Sequence, residues 1–177
     1  TALEAELAAR EVPTVTSGTG TALRDSAVVR DLLRLIDLAG RPADSWERDE
    51  IVDALSGAGL DAVDQRRLRS ALRHASAGED GVTVSPWETL RSAMAHPAEF
   101  ALLDLREARR AARVGDTLAA VQTLIADDAT AHELLWAAWE GSGRERSLRD
   151  TARGHGPLAA QADRELDAVV ALFQSAK

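Results

Sequence analysis

Cysteine is absent from all 177 residues, which removes both a disulfide framework and any thiolate metal site. Tyrosine is absent as well, and the aromatic residues come to four Trp and two Phe. Lysine occurs once, as Lys177. A phosphate-binding loop of the Walker type needs a lysine that reaches the β/γ-phosphates. The glycine-containing stretch Ser17-Gly18-Thr19-Gly20-Thr21 has none, so it reads as a turn with backbone freedom rather than a nucleotide site. No apolar run approaches the roughly 20 residues that span a bilayer, and no basic-then-apolar leader opens the chain. The expectation is a protein with no membrane partner and a cytoplasmic location. His132-Glu133-Leu134-Leu135-Trp136 falls one residue short of the zinc signature HExxH, because Trp136 stands where the second ligand would be. His74, His96 and His155 are isolated, with no spacing that suggests a metal or a triad.

What is present is a hydrophobic content of 45%, enough for a core, and a formal net charge of −8. That charge argues against a bare electrostatic nucleic-acid binder. The pattern is helix, turn, helix, with caps marking the starts. Asp25 or Ser26 caps a helix whose predicted buried face is Val28, Val29, Leu32, Leu33 and Ile36. A short helix is predicted from Ser45, carrying Trp46, Ile51, Val52 and Leu55, and broken at residues 56–59. Asp61 caps a helix running to about Ala75. Ser85-Pro86-Trp87-Glu88 and Thr130-Ala131-His132-Glu133 are capping boxes. A helix from about Ala98 is predicted to stop at Gly115, with Asp116 capping the next one through Ala126. Gly141 and Gly143 end the helix that holds Leu134, Leu135 and Ala138, flanked by Trp136 and Trp139 as packing residues. A last helix presents Leu158, Ala162, Leu166, Val169, Val170 and Phe173. The predicted class is all-α, with at most very short strands near residues 12–16 and 82–84.

Both ends of the chain resemble a known family. Residues 1–38, TALEAELAAREVPTVTSGTGTALRDSAVVRDLLRLIDL, run amphipathic helix, short β-type segment, polar turn, helix. That order resembles the segment after the fourth motif of UvrD/Rep-type superfamily 1 DNA helicases. Residues 156–176, GPLAAQADRELDAVVALFQSA, are similar to the helix before the fifth motif in actinobacterial, AdnA-like members. The resemblance implies a fragment of an ATP-dependent 3′-to-5′ helicase. Residues 1–40 would be part of motor domain 2A, 41–160 the helical 2B insertion, and 161–177 the return helix. ATP and Mg would belong to the parent enzyme and none to this segment. The implied partners are duplex or junction DNA, the remaining helicase domains and a partner helicase-nuclease subunit. The other reading of the chain is a free-standing helical protein-interaction domain without a DNA role.

One basic cluster stands out between residues 61 and 73. On a helical wheel Leu68, Ala71, Leu72 and Ala75 point one way, while Arg66, Arg69 and Arg73 point the other. The glycine turn Gly57-Ala58-Gly59 leads into it. Helix N-termini offer amides to phosphate, and arginine is a frequent phosphate contact. Helicases of the resembled family hold duplex through glycine-containing helix–turn–helix elements. Gly57, Gly59, Arg66, Arg69 and Arg73 are therefore the candidate DNA contacts, against the plainer reading of a solvated face. Arg106, Arg109, Arg110 and Arg113 form a second cluster, read as cations at a helix C-terminus.

Overall fold

The computed structural model describes residues 23–76 and 85–176. The predicted strands at 12–16 and 82–84 and the turn at 17–21 lie outside the described residues. Those described are helices joined by short turns and loops, and no strand occurs among them. In chain order the α-helices are α1 (Ala27–Ala39), α2 (Arg48–Gly57), α3 (Ala62–Ser76), α4 (Pro86–Ala95), α5 (Arg106–Ala126), α6 (Ala131–Ser142), α7 (Arg144–Ala152) and α8 (Pro157–Ser175). Single 3-10 turns sit at Leu23–Asp25, Ala43–Ser45 and Pro97–Leu102.

The long helix α5 is the hub, packing on α1, α3, α4 and α6. α1 in turn packs on α2, α5, α6 and α8. One core runs from Val28 and Leu32 through Leu55, Leu68, Leu90, Phe100 and Val121 to Val169 and Leu172. Residues on both sides of positions 40 and 160 contribute to this core.

The caps at Ser26, Asp61, Ser85 and Thr130 form as the sequence predicts. Ser26 accepts from the Val29 amide at 3.2 Å. Asp61 Oδ1 accepts from the amides of Val63 and Asp64, both at 2.8 Å. Glu88 accepts from the Ser85 amide at 3.2 Å and Glu133 from the Thr130 amide at 2.8 Å. The Thr130 backbone and side chain together hold the Glu133 carboxyl below the usual carboxylate range.

Four expectations are corrected. The helix predicted from Ser45 begins at Arg48, because Ala43–Ser45 forms a 3-10 turn and Glu50 closes on the Glu47 amide at 2.9 Å. Trp46, just before it, is buried and its indole N–H donates to the Leu38 carbonyl at 2.8 Å. On α1 the buried face is Val28, Val29, Leu32, Leu35, Leu38 and Ala39, while Leu33 is exposed. Seven residues make two turns, so Leu35 repeats Val28, whereas Leu33 is rotated well off that stripe. On α8 Leu158 and Val170 are likewise exposed, and Ala159, Ala162, Glu165, Val169 and Leu172 are buried.

The fourth correction concerns the glycines. α5 runs unbroken through Gly115 and Asp116. A Cβ on Gly115 would sit 2.7 Å from the Met94 carbonyl oxygen and 2.9 Å from the Pro97 ring. The glycine is there because α4 and the turn after it press onto α5, not because the helix ends. Gly141 has the same role inside α6, where a Cβ would meet the Thr117 side chain at 2.2 Å. Gly143, with φ 63°, is the residue that ends α6.

Candidate nucleic-acid interface

α3 is amphipathic in the way its spacing requires. Leu68 and Leu72 are buried, and Arg66 and Arg73 are exposed on the opposite side. Arg69, between them, is half-buried. Gln65 is buried at the root of the helix and donates to the carbonyls of Val52 and Leu60 and to Ser56 Oγ, at 3.1 to 3.2 Å. These bonds lash α3 to the C-terminal end of α2 and fix which way the arginine face points.

The glycine turn is occupied by its own helix end. Gly59 takes φ 80°, its amide donates to Ser56 O at 2.9 Å, and the Leu60 amide donates back to Leu55 O at 3.0 Å. That is a Schellman stop, sealed by the buried side chains of Leu55 and Leu60. Beyond it, Asp61 takes the first free amides of α3. The Gly59 carbonyl accepts from Arg110 Nη1 at 3.0 Å, and a Cβ on Gly57 would lie 3.1 Å from the Asp31 carboxyl. The structure thus sets Gly57 and Gly59 as the hinge that aims α3, with their amides spent inside the chain.

Two further residues join those arginines. The guanidinium carbon of Arg69 lies 4.1 Å from the centre of the Trp87 ring, and that of Arg48 lies 4.3 Å from the same ring. Arg48 opens α2, Arg69 is mid-α3 and Trp87 is in the first turn of α4. Burial pushes the pKa of Arg69 down, and the positive charges of Arg48 and Arg66 push it the same way. Arginine nevertheless keeps its proton at any neutral pH. Among the described residues, no carboxylate makes an ion pair with Arg48, Arg66, Arg69 or Arg73, whereas Arg67 on the other flank pairs with the buried Glu107 at 3.7 Å. Among the described residues these four arginines have no carboxylate partner, so positive charge gathers locally in a chain of net charge −8. Neither Arg48 nor Trp87 is legible as a member from sequence, since each stands on a different helix and no spacing links them to α3.

The second cluster behaves differently. Arg106, Arg109, Arg110 and Arg113 lie in the first half of α5, not at its C-terminus, so its own dipole does not explain them. Arg109 pairs with Asp104 at 2.8 Å, and Arg110 caps the end of α2 through Gly59. Nearby, Asp31 is shared by Arg34 at 3.3 Å and Arg144 at 2.5 Å, and Arg34 also reaches Asp53 at 3.1 Å. Arg34, Arg110 and Arg144 are thereby tied into the packing of α1, α2, α5 and α7, whereas the Arg109 pair is exposed.

Among the described residues no group of three or more His, Cys, Asp or Glu is placed to hold a metal. No described helix is long and apolar enough to cross a membrane. His132 and Glu133 lie in the first turn of α6, with the His132 ring edge-on to Phe173 at 5.2 Å. No protein-family model matches the chain, and no curated protein matches it.

Proposed function

We propose that this chain is a 2B-region fragment of a UvrD/Rep-type DNA helicase that contacts the duplex backbone through Arg66, Arg69 and Arg73. The observation that carries the reading is the arginine face of α3, which has no ion-pair partner among the described residues and is aimed by Gln65 and the Gly59 stop. The resemblance at the two chain ends supports the parentage. In such a parent, ATP and Mg would act in the motor domains, and this segment would contribute duplex contact or conformational regulation.

The rise of an α-helix puts Arg66 and Arg73 about 10 Å apart. That matches roughly three nucleotides of one strand at about 3.4 Å each. Such contacts are blind to base identity, so the expected binding is weak and has little sequence preference.

The test is a salt titration of duplex binding with Arg66→Ala/Arg69→Ala/Arg73→Ala. Each lost phosphate contact should flatten the slope of log K against log salt by about 0.9, so the triple variant should lose between 2 and 3 units, roughly, along with about tenfold in affinity at low salt. Alanine is the better helix former and the buried leucines are untouched, so the helix should survive. Unchanged binding would leave the face as solvated surface. The parentage has its own test, which is whether the flanking reading frame encodes the remaining helicase motifs.

A second reading has one observation in its favour. Trp136 is 55% exposed on α6, edge-on to Phe173 at 6.0 Å, with the exposed Val170 one turn earlier on α8. An aromatic patch of this kind suits a protein partner. It becomes the preferred reading if the arginine variant binds duplex unchanged.

A further inference from the structure

The exposed faces of α2 and α4 would be unremarked surface but for what they bring to α3. Arg48 is exposed at the first position of α2, and its guanidinium lies over the Trp87 ring at 4.3 Å. Arg69 lies over the same ring at 4.1 Å. A guanidinium against an indole keeps its in-plane N–H groups free for an acceptor while its face is held. Among the described residues the guanidiniums of Arg48 and Arg69 contact the Trp87 ring and donate no hydrogen bond. Two like charges are therefore fixed near one another by one aromatic ring, with their donors unspent. The charge of Arg48 disfavours that of Arg69, and a bound phosphate would offset that repulsion.

We infer that Arg48 is a fourth phosphate contact and Trp87 the positioning residue that holds Arg48 and Arg69 in their binding poses. The ligand class is a contiguous phosphodiester backbone, because Arg48 extends the row of Arg66, Arg69 and Arg73 from one helix onto a second. The inference rests on the reading of the α3 face as a duplex contact. It adds two residues on separate helices that the α3 row alone does not require.

The ring also supplies the reporter. Trp87 sits against the two guanidiniums, so phosphate arriving at them changes its surroundings, whereas Trp46 and Trp139 are buried in the core and the exposed Trp136 lies on α6 against Phe173 of α8. The experiment titrates a short random-sequence DNA duplex into the full chain, following both affinity and tryptophan emission. Arg48→Ala should reduce the salt slope by about 0.9. Trp87→Leu keeps every charge, yet should weaken binding by about three- to tenfold through the lost cation–π support. The emission change on binding should vanish in the same variant. Trp87→Phe retains an aromatic face and should recover most of the affinity, which simple bulk at that position would not do.

Arg48 is solvent-exposed, so its variant folds even if Trp87→Leu does not. An unchanged salt slope for Arg48→Ala overturns the fourth contact. Full affinity for a folded Trp87→Leu overturns the positioning role. If the triple α3 variant weakens binding while both of these leave it unchanged, this inference fails and the α3 reading stands. If the triple variant also changes nothing, the α3 reading has failed first.

Discussion

Gly115→Ala should destabilise the fold by about 2 kcal/mol, although it places the best helix former in the interior of a 21-residue helix. Propensity alone predicts a gain of about 1 kcal/mol. Against it stands a Cβ 2.7 Å from the Met94 carbonyl oxygen and 2.9 Å from a proline ring carbon. Both neighbours are stiff: one is backbone at the C-terminal turn of α4, the other a ring closed on its own backbone. Relief requires α4 and the Pro97–Leu102 turn to move off α5, and overpacking of this kind costs about 1–3 kcal/mol or more. In a chain of this size the net loss should lower the melting temperature by about 4–8 °C. Gly40→Ala is the matched control. Gly40 has an ordinary φ of −71° and its Cβ would meet nothing closer than 3.5 Å. There the loss of unfolded-state entropy should dominate, giving no change or a gain of about 0.4–1 kcal/mol. Thermal melts of the two variants moving in the same direction would show that the α4–α5 crossing does not demand a glycine.

Gly115 also shows where the sequence was legible and where it was not. Caps are local: Ser26, Asp61, Ser85 and Thr130 act within three residues of themselves, so their motifs predicted helix starts that the structure contains. Glycine is ambiguous in sequence, because it marks either a chain that must bend or a chain that another must approach. Gly59 and Gly143 are the first kind, with positive φ, while Gly115 and Gly141 are the second. Only the tertiary neighbours separate the two. The same limit applies to the candidate interface. The arginine stripe on α3 follows from its 3.6-residue period, whereas its union with Arg48 and Trp87 depends on how three helices cross. Leu33, Leu158 and Val170 are expected on the buried helix faces, but the helical phase set by the tertiary neighbours places them outside.

Glu165→Leu should cost the fold about 2–3 kcal/mol, and the effect should depend on pH. Glu165 lies in the middle of α8, 8% exposed, where its neighbours on the same stripe are Ala162 and Val169. Periodicity would assign that position to an apolar residue. The structure supplies the reason for the carboxylate: it faces the buried N-terminus of α1. Glu165 Oε2 accepts from the Ser26 hydroxyl and from the Val28 amide at 3.1 Å, while Gln161 donates to Oε1 at 2.9 Å. The first turn of a helix leaves amides without partners and a partial positive charge, and here an anion from α8 answers both. Burial pushes the Glu165 pKa up, but the bonds from Ser26, Val28, Gln161 and the Ala27 amide outweigh it, and the net direction is down. A carboxyl whose folded pKa lies below its unfolded value of about 4.3 stabilises the native state above that pH. The contribution is lost as pH falls through the folded pKa. Leucine fills the space but leaves Ser26 and the Val28 amide unpaired in the interior, and a lost hydrogen bond to a charged group costs about 1.5–3 kcal/mol. Glu165→Gln keeps the shape and removes the charge, so it should fall between the wild type and leucine. The gap between wild type and Gln, measured by denaturant unfolding, should be constant from about pH 7 to 5 and narrow below about pH 4. A gap that stays the same down to pH 2, or widens on acidification, would mean that the charge on Glu165 does not hold α8 against α1.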